Sequence, residues 1–236
     1  INFILVIFFY KEPERVKNND PLLVSFIVSL RNIYTVVKDV KFVIFLLLIV
    51  GFWSMYNQLF YTFPVYFEQW VDLEKFFNDI YSFWPNFANA IGNNGSVPAE
   101  MLVNIDAMYI IIFQIIVSTF VMRFKALNAM IGGIFVCSIG IGLTIATTNP
   151  FFMLFSILLF ALGEMASSPK ITEYIGKIAP KDKVGMYMGA SFIPMAGGNF
   201  VAGYLSGDVY TRMSDKLTIL KTEVAERGLN IPEISE

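Results

Sequence analysis

The chain has 236 residues, of which 56% are hydrophobic, 16% aromatic and only 15% charged. Soluble domains carry roughly 25% charged residues, so this composition is typical of a membrane protein. The net charge of −2 says little by itself, because the distribution of Lys and Arg between loops matters more than their sum. There is no histidine and one cysteine, Cys137, which excludes an internal disulfide and argues against a structural zinc site.

Long uncharged stretches divide the chain into candidate membrane spans. A helix that crosses a bilayer needs about 20 predominantly apolar residues, and the longest stretch, 126–163, has room for nearly two such helices. We therefore expect an all-α membrane protein with a transmembrane bundle over 41–207. Its five full spans are predicted at about 41–67, 98–122, 126–147, 150–177 and 184–207.

The segments outside these spans complete the predicted organisation. Residues 1–10 have the composition of the end of a further transmembrane helix, and 11–40 is expected to be a cytoplasmic linker that contains an amphipathic surface helix. Residues 68–97 are predicted as an external loop, and 208–236 as an external polar segment before a missing last helix. Because the chain begins without an initiating Met or a signal peptide, we interpret it as an internal piece of a longer protein.

The distribution of basic residues predicts the orientation. If 11–40 is cytoplasmic, the turns at 122–126 and 177–183 are cytoplasmic too, and twelve of the 17 Lys and Arg residues lie on that side, against five outside. Cytoplasmic loops of membrane proteins carry such an excess. We therefore expect a multi-pass protein of the plasma (inner) membrane whose surroundings are the lipid bilayer.

Glu164 is the first candidate functional residue. It lies 14 residues into the span 150–177, about 21 Å along a helix that rises 1.5 Å per residue. An ionisable group at that depth is costly and normally faces a cavity or a partner. Ser167 and Ser168 follow at i+3 and i+4 and are predicted to share its face, while Pro169 removes a backbone hydrogen bond and predicts a kink.

Polar residues in two other spans are the next candidates. Trp53, Asn57 and Tyr61 recur at helical spacing, and they either line a cavity or hydrogen-bond to a neighbouring helix. Asp106 lies two turns inside the span 98–122, where it is either a solvated group near the interface or a second carboxyl in a cavity. Spacing alone leaves both alternatives open.

Soluble-enzyme chemistry has no support in the sequence. The chain has no histidine for a catalytic triad, and it has no P-loop lysine or phosphate-binding glycine loop. We expect neither an enzyme nor a nucleic-acid partner, and no cofactor other than a proton gradient. Two carboxyls within the membrane, polar helix faces and kinked helices are instead typical of a solute pathway.

The motifs around Glu164 resemble a known family, the proton-dependent oligopeptide transporters of the major facilitator superfamily. In that family the tenth helix contains G-E-L-x-x-S-P followed by K-x-A-P, and the eleventh contains M-G-x-W-F followed by G-N-x-x-A-G. The same spacing holds here for Gly163, Glu164, Ser168, Pro169, Lys177, Ala179, Pro180, Met188, Gly189, Phe192, Gly198, Asn199, Ala202 and Gly203. The seventh-helix motif F-W-x-x-[FY]-[ED]-Q is matched by Phe52, Trp53, Tyr56 and Gln58.

The resemblance implies a partial major facilitator bundle, from the end of helix six through helix eleven, whose amino-terminal partner bundle is missing. It implies proton-coupled uptake of short peptides, with a di- or tripeptide as the small-molecule substrate, by alternating access. Glu164 would meet the peptide ammonium, Ser168 and Asn57 would hydrogen-bond its backbone, and Trp53 and Tyr56 would shape the side-chain pocket.

Three positions depart from the family pattern. Asn57 stands where the family has a proton-coupling carboxylate, Asp106 stands where it usually has an asparagine, and Ser191 replaces a tryptophan that lines the pocket. The proton-coupling candidates are therefore Glu164 and Asp106. Two alternatives stay open: a facilitator for another small organic solute with altered coupling, and a membrane receptor or scaffold that transports nothing.

Overall fold

A computed structural model of the chain describes residues 21–228. The segments 1–20 and 229–236 lie outside the described residues, so the predicted transmembrane end at 1–10 does too. Every regular element in the described part of the chain is a helix, with one isolated bridge between Asn93 and Ser96 at a tight turn. The expected all-helical class is confirmed.

Twelve α-helices and one π-helix make up the described part of the chain. They are α1 (Leu22–Val37), α2 (Val40–Tyr61), α3 (Phe63–Trp70), α4 (Leu73–Phe83), α5 (Pro85–Ile91), α6 (Ala99–Val121), α7 (Ala126–Ile145), α8 (Pro150–Ile178), α9 (Val184–Ala190), α10 (Phe192–Tyr204), the π-helix Leu205–Val209, α11 (Tyr210–Met213) and α12 (Lys216–Glu226).

Four of these helices, α2, α6, α7 and α8, are long and apolar enough to cross a membrane. The predicted fifth span, 184–207, is not one continuous helix, because it breaks at Ser191 between α9 and α10. Pro194 explains the break, since proline has no N–H to donate to the carbonyl of Ala190. Pro64 acts in the same way on the first predicted span, which is divided at Thr62 between α2 and α3.

The long helices form two packed groups. In the first group, α8 is the centre and contacts α7 extensively and α6 to a lesser extent. In the second group, α2 packs along α10, and Gly198 allows this because a Cβ there would collide with Trp53. Direct contacts between the two groups are few. The interior face of α2 therefore lies opposite α8 and α6, and we call the boundary between the two groups the seam.

The contact between α7 and α8 depends on glycines. A Cβ at Gly133 would lie 2.7 Å from the Ser167 backbone nitrogen, and one at Gly163 would lie 2.6 Å from the Gly133 carbonyl oxygen. Such distances are shorter than any real Cβ contact, so the two backbones approach only because side chains are absent. The fully buried Cys137 and Phe160 fill the space beside this crossing.

The linker helix α1 matches the predicted surface helix in position, and it exposes apolar side chains including Leu23, Phe26 and Ile27. At its end Asp39 caps α2, since its carboxylate accepts a hydrogen bond from the Phe42 N–H at 3.2 Å. The same carboxylate accepts from the Tyr187 hydroxyl at 2.9 Å. Asp39 thereby joins the start of α2 to α9.

At the opposite end of the bundle, Gln69 joins α3 to the segment before α12. Its side-chain oxygen accepts from the Tyr210 hydroxyl at 3.0 Å and from the Lys216 N–H at 3.2 Å. Its amide donates to Asp215 at 2.7 Å. Hydrogen bonds from the Thr218 hydroxyl and N–H, and then from Gln69, lower the pKa of Asp215, so this cap of α12 is charged at neutral pH.

Replacing Gln69 with Ala is expected to loosen α12. Removing the side chain deletes three hydrogen bonds, each worth roughly 1 kcal/mol at most in a partly exposed site. We expect amide hydrogen exchange over 214–226 to accelerate about tenfold or more. Glu68→Ala is the matched control, because the neighbouring Glu68 side chain is exposed and makes no such bond among the described residues. Equal exchange in the two variants would contradict the role of Gln69.

Candidate functional site

Three polar groups from three helices meet at the seam between the two helix groups. The Glu164 carboxyl on α8 lies next to the Asp106 carboxyl on α6, and the Tyr56 hydroxyl on α2 interacts with Glu164 as well. Two predicted proton-coupling candidates and one predicted pocket residue are thus brought together. We call Tyr56, Asp106 and Glu164 the carboxyl cluster.

The carboxyl cluster is buried at Asp106, half-buried at Tyr56 and Glu164, and incompletely satisfied. Asp106 is only 3% exposed, so within the described residues it is not the solvated interfacial group that the sequence left as one alternative. Asp106 Oδ1 and Glu164 Oε2 are both buried without a hydrogen-bond partner among the described residues. Buried polar atoms in proteins are normally paired, so two unpaired oxygens on adjacent carboxyls mark a place where a further group is needed.

No basic side chain among the described residues neutralises the carboxyl cluster. The nearest candidate on the same helix is Lys170, which is buried but bonds to Glu173 at 2.6 Å. Two carboxylates held together in an apolar site repel one another, so the arrangement requires either a shared proton or a cation between them. The chemistry available here is therefore reversible binding of a proton or of an ammonium group.

The helix contacts explain why these side chains meet. Glu164 follows Gly163 directly, so the close α7–α8 crossing fixes the backbone that carries it. Three residues after Asp106, the Tyr109 hydroxyl donates to the Leu154 carbonyl at 3.2 Å and holds α6 against α8. The helix that carries Asp106 is therefore tied to the helix that carries Glu164, and that helix is packed closely against α7.

Aromatic rings form the wall of the site on the α2 side. The rings of Trp53 and Tyr56 lie 5.2 Å apart in an edge-to-face arrangement, and the Tyr56 ring stacks on Phe160 of α8 with centroids 5.8 Å apart. Such pairs stabilise a defined geometry beyond the area that they bury. The Tyr56 hydroxyl is thereby held at the Glu164 carboxyl.

The other two predicted binding residues, Asn57 and Ser168, differ in burial. Asn57 is buried, and its amide donates to the Trp53 carbonyl of its own helix at 2.7 Å. Ser168 is half-buried on α8, one turn after Glu164. The roles predicted for both in binding a peptide backbone stay predictions.

Ser167, which the spacing predicts to share the face of Glu164, packs against α7. Its side chain is fully buried, and its hydroxyl donates to the Gly163 carbonyl at 2.8 Å. The Gly133 backbone of α7 packs directly against it. A residue at i+3 is displaced by roughly 60° from the face of residue i, which here is enough to turn Ser167 toward α7.

The meeting of Asp106 with Glu164 could not be found from the sequence, because the two residues lie on different spans. The available signal was that each is a carboxyl within an apolar stretch. The Tyr56 hydroxyl was predicted only as part of a pocket wall. No third His, Cys, Asp or Glu side chain joins the pair in the described residues, so the set has fewer anionic ligands than divalent metal sites usually contain.

Comparisons of the chain with protein-family models, with curated proteins and with solved structures found no match. The helices, the carboxyl cluster and the motif resemblance around Glu164 are therefore the features from which a function is inferred.

Proposed function

We propose that this chain is part of a secondary active transporter that couples the uptake of short peptides to protons by alternating access. The observation that carries the proposal is the carboxyl cluster, with two buried and unpaired carboxyl oxygens on adjacent membrane-spanning helices. Ionisable groups within membrane helices are expensive and are retained at ion and substrate pathways. The transporter motifs around Glu164 add independent support.

The position of the carboxyl cluster fits such a mechanism. It lies between two helix groups that make few contacts with each other, so relative movement of the groups changes the surroundings of the carboxyls without disrupting either group. Alternating access requires this kind of movement around a site near the middle of the membrane. Breaks at Thr62 and Ser191 provide points at which α2 and α10 can bend.

The negative charge of the two carboxyls favours a substrate that carries an ammonium group. A peptide ammonium group between Asp106 and Glu164 supplies both the positive charge and the hydrogen-bond donors that the two oxygens lack. The ammonium neutralises one carboxylate and a proton neutralises the other, so the loaded site carries no net negative charge. Proton and substrate thus bind together and cross together, with Trp53 and Tyr56 contacting the substrate side chain.

Uptake of a labelled dipeptide by the full-length protein in proteoliposomes tests the proposal. We expect an inward proton gradient to drive accumulation, a protonophore to abolish it, and the same dipeptide with an acetylated amino terminus to be excluded, because it has no ammonium group. Accumulation that ignores the gradient would favour a facilitator for another solute. Transport of the acetylated peptide at the same rate would contradict the ammonium site.

A further inference from the structure

An apolar groove of about 520 Å³ opens between α6 and α7, with α8 as its floor. Its walls include Phe120 and Phe124 on the α6 side and Gly132 and Val136 on the α7 side, and Leu162 belongs to the floor. Asn128 is the one polar residue of the lining. The groove is separate from the carboxyl cluster, because Tyr56, Asp106 and Glu164 are not among its lining residues.

The groove exists because α6 and α7 diverge. Both helices pack on α8, yet they make little contact with each other beyond the turn that connects them. Gly132 widens the gap, since a Cβ at this position would meet no atom within 4 Å. Its neighbour Gly133, by contrast, is tightly packed against α8. The α7 wall of the groove therefore has open space in front of Gly132, and the α7–α8 contact beside it is tightly packed.

The depth of the groove corresponds to one leaflet of a bilayer. It begins beside the turn after α6 and ends at Val136, ten positions into α7, which is about 15 Å at 1.5 Å per residue. The hydrocarbon core of a bilayer is about 30 Å thick, so the groove extends over roughly half of it. The surroundings at this depth are acyl chains.

Two cations lie at the mouth of the groove. Arg123 and Lys125 occupy the connecting turn, are exposed, and form no ion pair among the described residues. Asn128 adds a polar side chain at the same end. The count of Lys and Arg predicts that this turn faces the cytoplasm, where the membrane surface carries anionic lipids and where basic pockets between spanning helices bind their head groups.

We propose that the groove is a binding site for an anionic phospholipid, with one acyl chain against Phe120, Gly132 and Val136 and the phosphate at Arg123 and Lys125. An apolar groove that ends at two unpaired cations is complementary to a lipid that joins an apolar chain to a negative head group. A phospholipid without net charge would fill the same groove but would bind more weakly, because its head group is attracted less by Arg123 and Lys125. This site does not depend on the proposed transport activity.

Lipid retention by the full-length protein tests the proposal without any transport measurement. The protein is exchanged into nanodiscs that contain phosphatidylglycerol and phosphatidylcholine, extracted, and analysed by native mass spectrometry. We expect one retained phosphatidylglycerol, which Gly132→Leu reduces about tenfold by filling the groove. Gly142→Leu is the matched control on the same helix, because a Cβ at Gly142 also meets no atom within 4 Å but lies outside the groove.

The cations are tested separately. Arg123→Gln combined with Lys125→Gln is expected to lower the preference for phosphatidylglycerol over phosphatidylcholine roughly tenfold or more, since each cation near a membrane surface contributes to anionic lipid binding. Lys181→Gln, in another basic turn, should leave the preference unchanged. Equal retention by wild type and Gly132→Leu would overturn the groove as the site and would leave only adsorption to surface charge.

A photoreactive phosphatidylglycerol keeps the proposal testable if a variant fails to fold. With the reactive group in the acyl chain, labelling of the wild-type protein should map to α6 and α7 residues of the groove. If the groove is covered by another segment of the full-length protein, Gly132→Cys labelled with a benzophenone maleimide should cross-link to that segment on irradiation, and lipid labelling there should be absent. That result would overturn the proposal.

Discussion

Glu164→Gln is expected to reduce peptide uptake about 10- to 100-fold, both under a proton gradient and in peptide exchange without one. The glutamine retains the size of the side chain but loses the negative charge that holds the ammonium. Hydrogen bonds to charged groups contribute about 1.5–3 kcal/mol, which corresponds to this range. Measurement of gradient-driven uptake and of exchange in the same proteoliposomes gives both values.

Asp106→Asn should behave differently, and this difference tests the carboxyl cluster as a coupled pair. Glu164 alone still attracts an ammonium group, so peptide exchange should fall by less than about tenfold, whereas accumulation driven by the proton gradient should be lost. With one carboxyl left, the ammonium neutralises the site by itself and no proton is carried with the peptide. Glu100→Gln is the control, because Glu100 is exposed near the start of the same helix α6.

The double variant provides the decisive comparison. If Asp106 and Glu164 share one proton, the effects of the two substitutions on gradient-driven uptake will not add, because either one removes the shared function. Additive losses would show that the carboxyls act independently. Asp106→Asn with undiminished gradient-driven accumulation would exclude Asp106 from coupling.

Gly133→Ala is expected to be strongly destabilising, while Gly132→Ala, one position earlier, is expected to be neutral or slightly stabilising. The added methyl group at position 133 would lie 2.7 Å from the Ser167 nitrogen and 2.8 Å from the Gly163 oxygen, so α7 and α8 must separate. Overpacking of this kind costs about 1–3 kcal/mol. At position 132 the methyl group enters open space.

The pair of variants isolates packing from helix propensity. Both substitutions replace glycine with alanine inside α7, so both gain the same intrinsic preference for helix, up to about 1 kcal/mol. Thermal unfolding of the detergent-solubilised full-length protein should therefore show a clearly lower midpoint for Gly133→Ala alone. Because Gly163 adjoins Glu164, peptide binding by Gly133→Ala should weaken as well. Equal midpoints for the two variants would contradict the close α7–α8 crossing.

Helix positions were largely predictable because hydrophobicity and length act locally. The helices α6, α7 and α8 end within two residues of the limits expected from the apolar stretches. Prolines produced the main difference. Pro64 and Pro194 lie in stretches that are uncharged and mostly apolar, so hydropathy predicts continuous spans, whereas each missing N–H interrupts a helix.

Helical spacing did not predict the contacts of the side chains around Glu164. Ser167 and Ser168 both satisfy the spacing for a shared face, yet Ser167 is directed at α7 because Gly133 approaches there. Asn57 was a candidate for substrate binding from its polar character, and only the fold shows that its amide bonds to Trp53. Spacing defines faces on one helix but not which neighbour each face contacts.

The sequence by itself determined that the chain is helical and lies in a membrane, and that Glu164 and Asp106 are costly carboxyls, because these properties depend on composition and on residues near one another along the chain. Only the tertiary structure decided that the two carboxyls are neighbours, that Tyr56 meets them, and that a groove opens beside two unpaired cations. Those relations depend on how α2, α6, α7 and α8 pack. That packing is decided by contacts between distant residues such as Gly133 and Gly163, where the backbones meet directly.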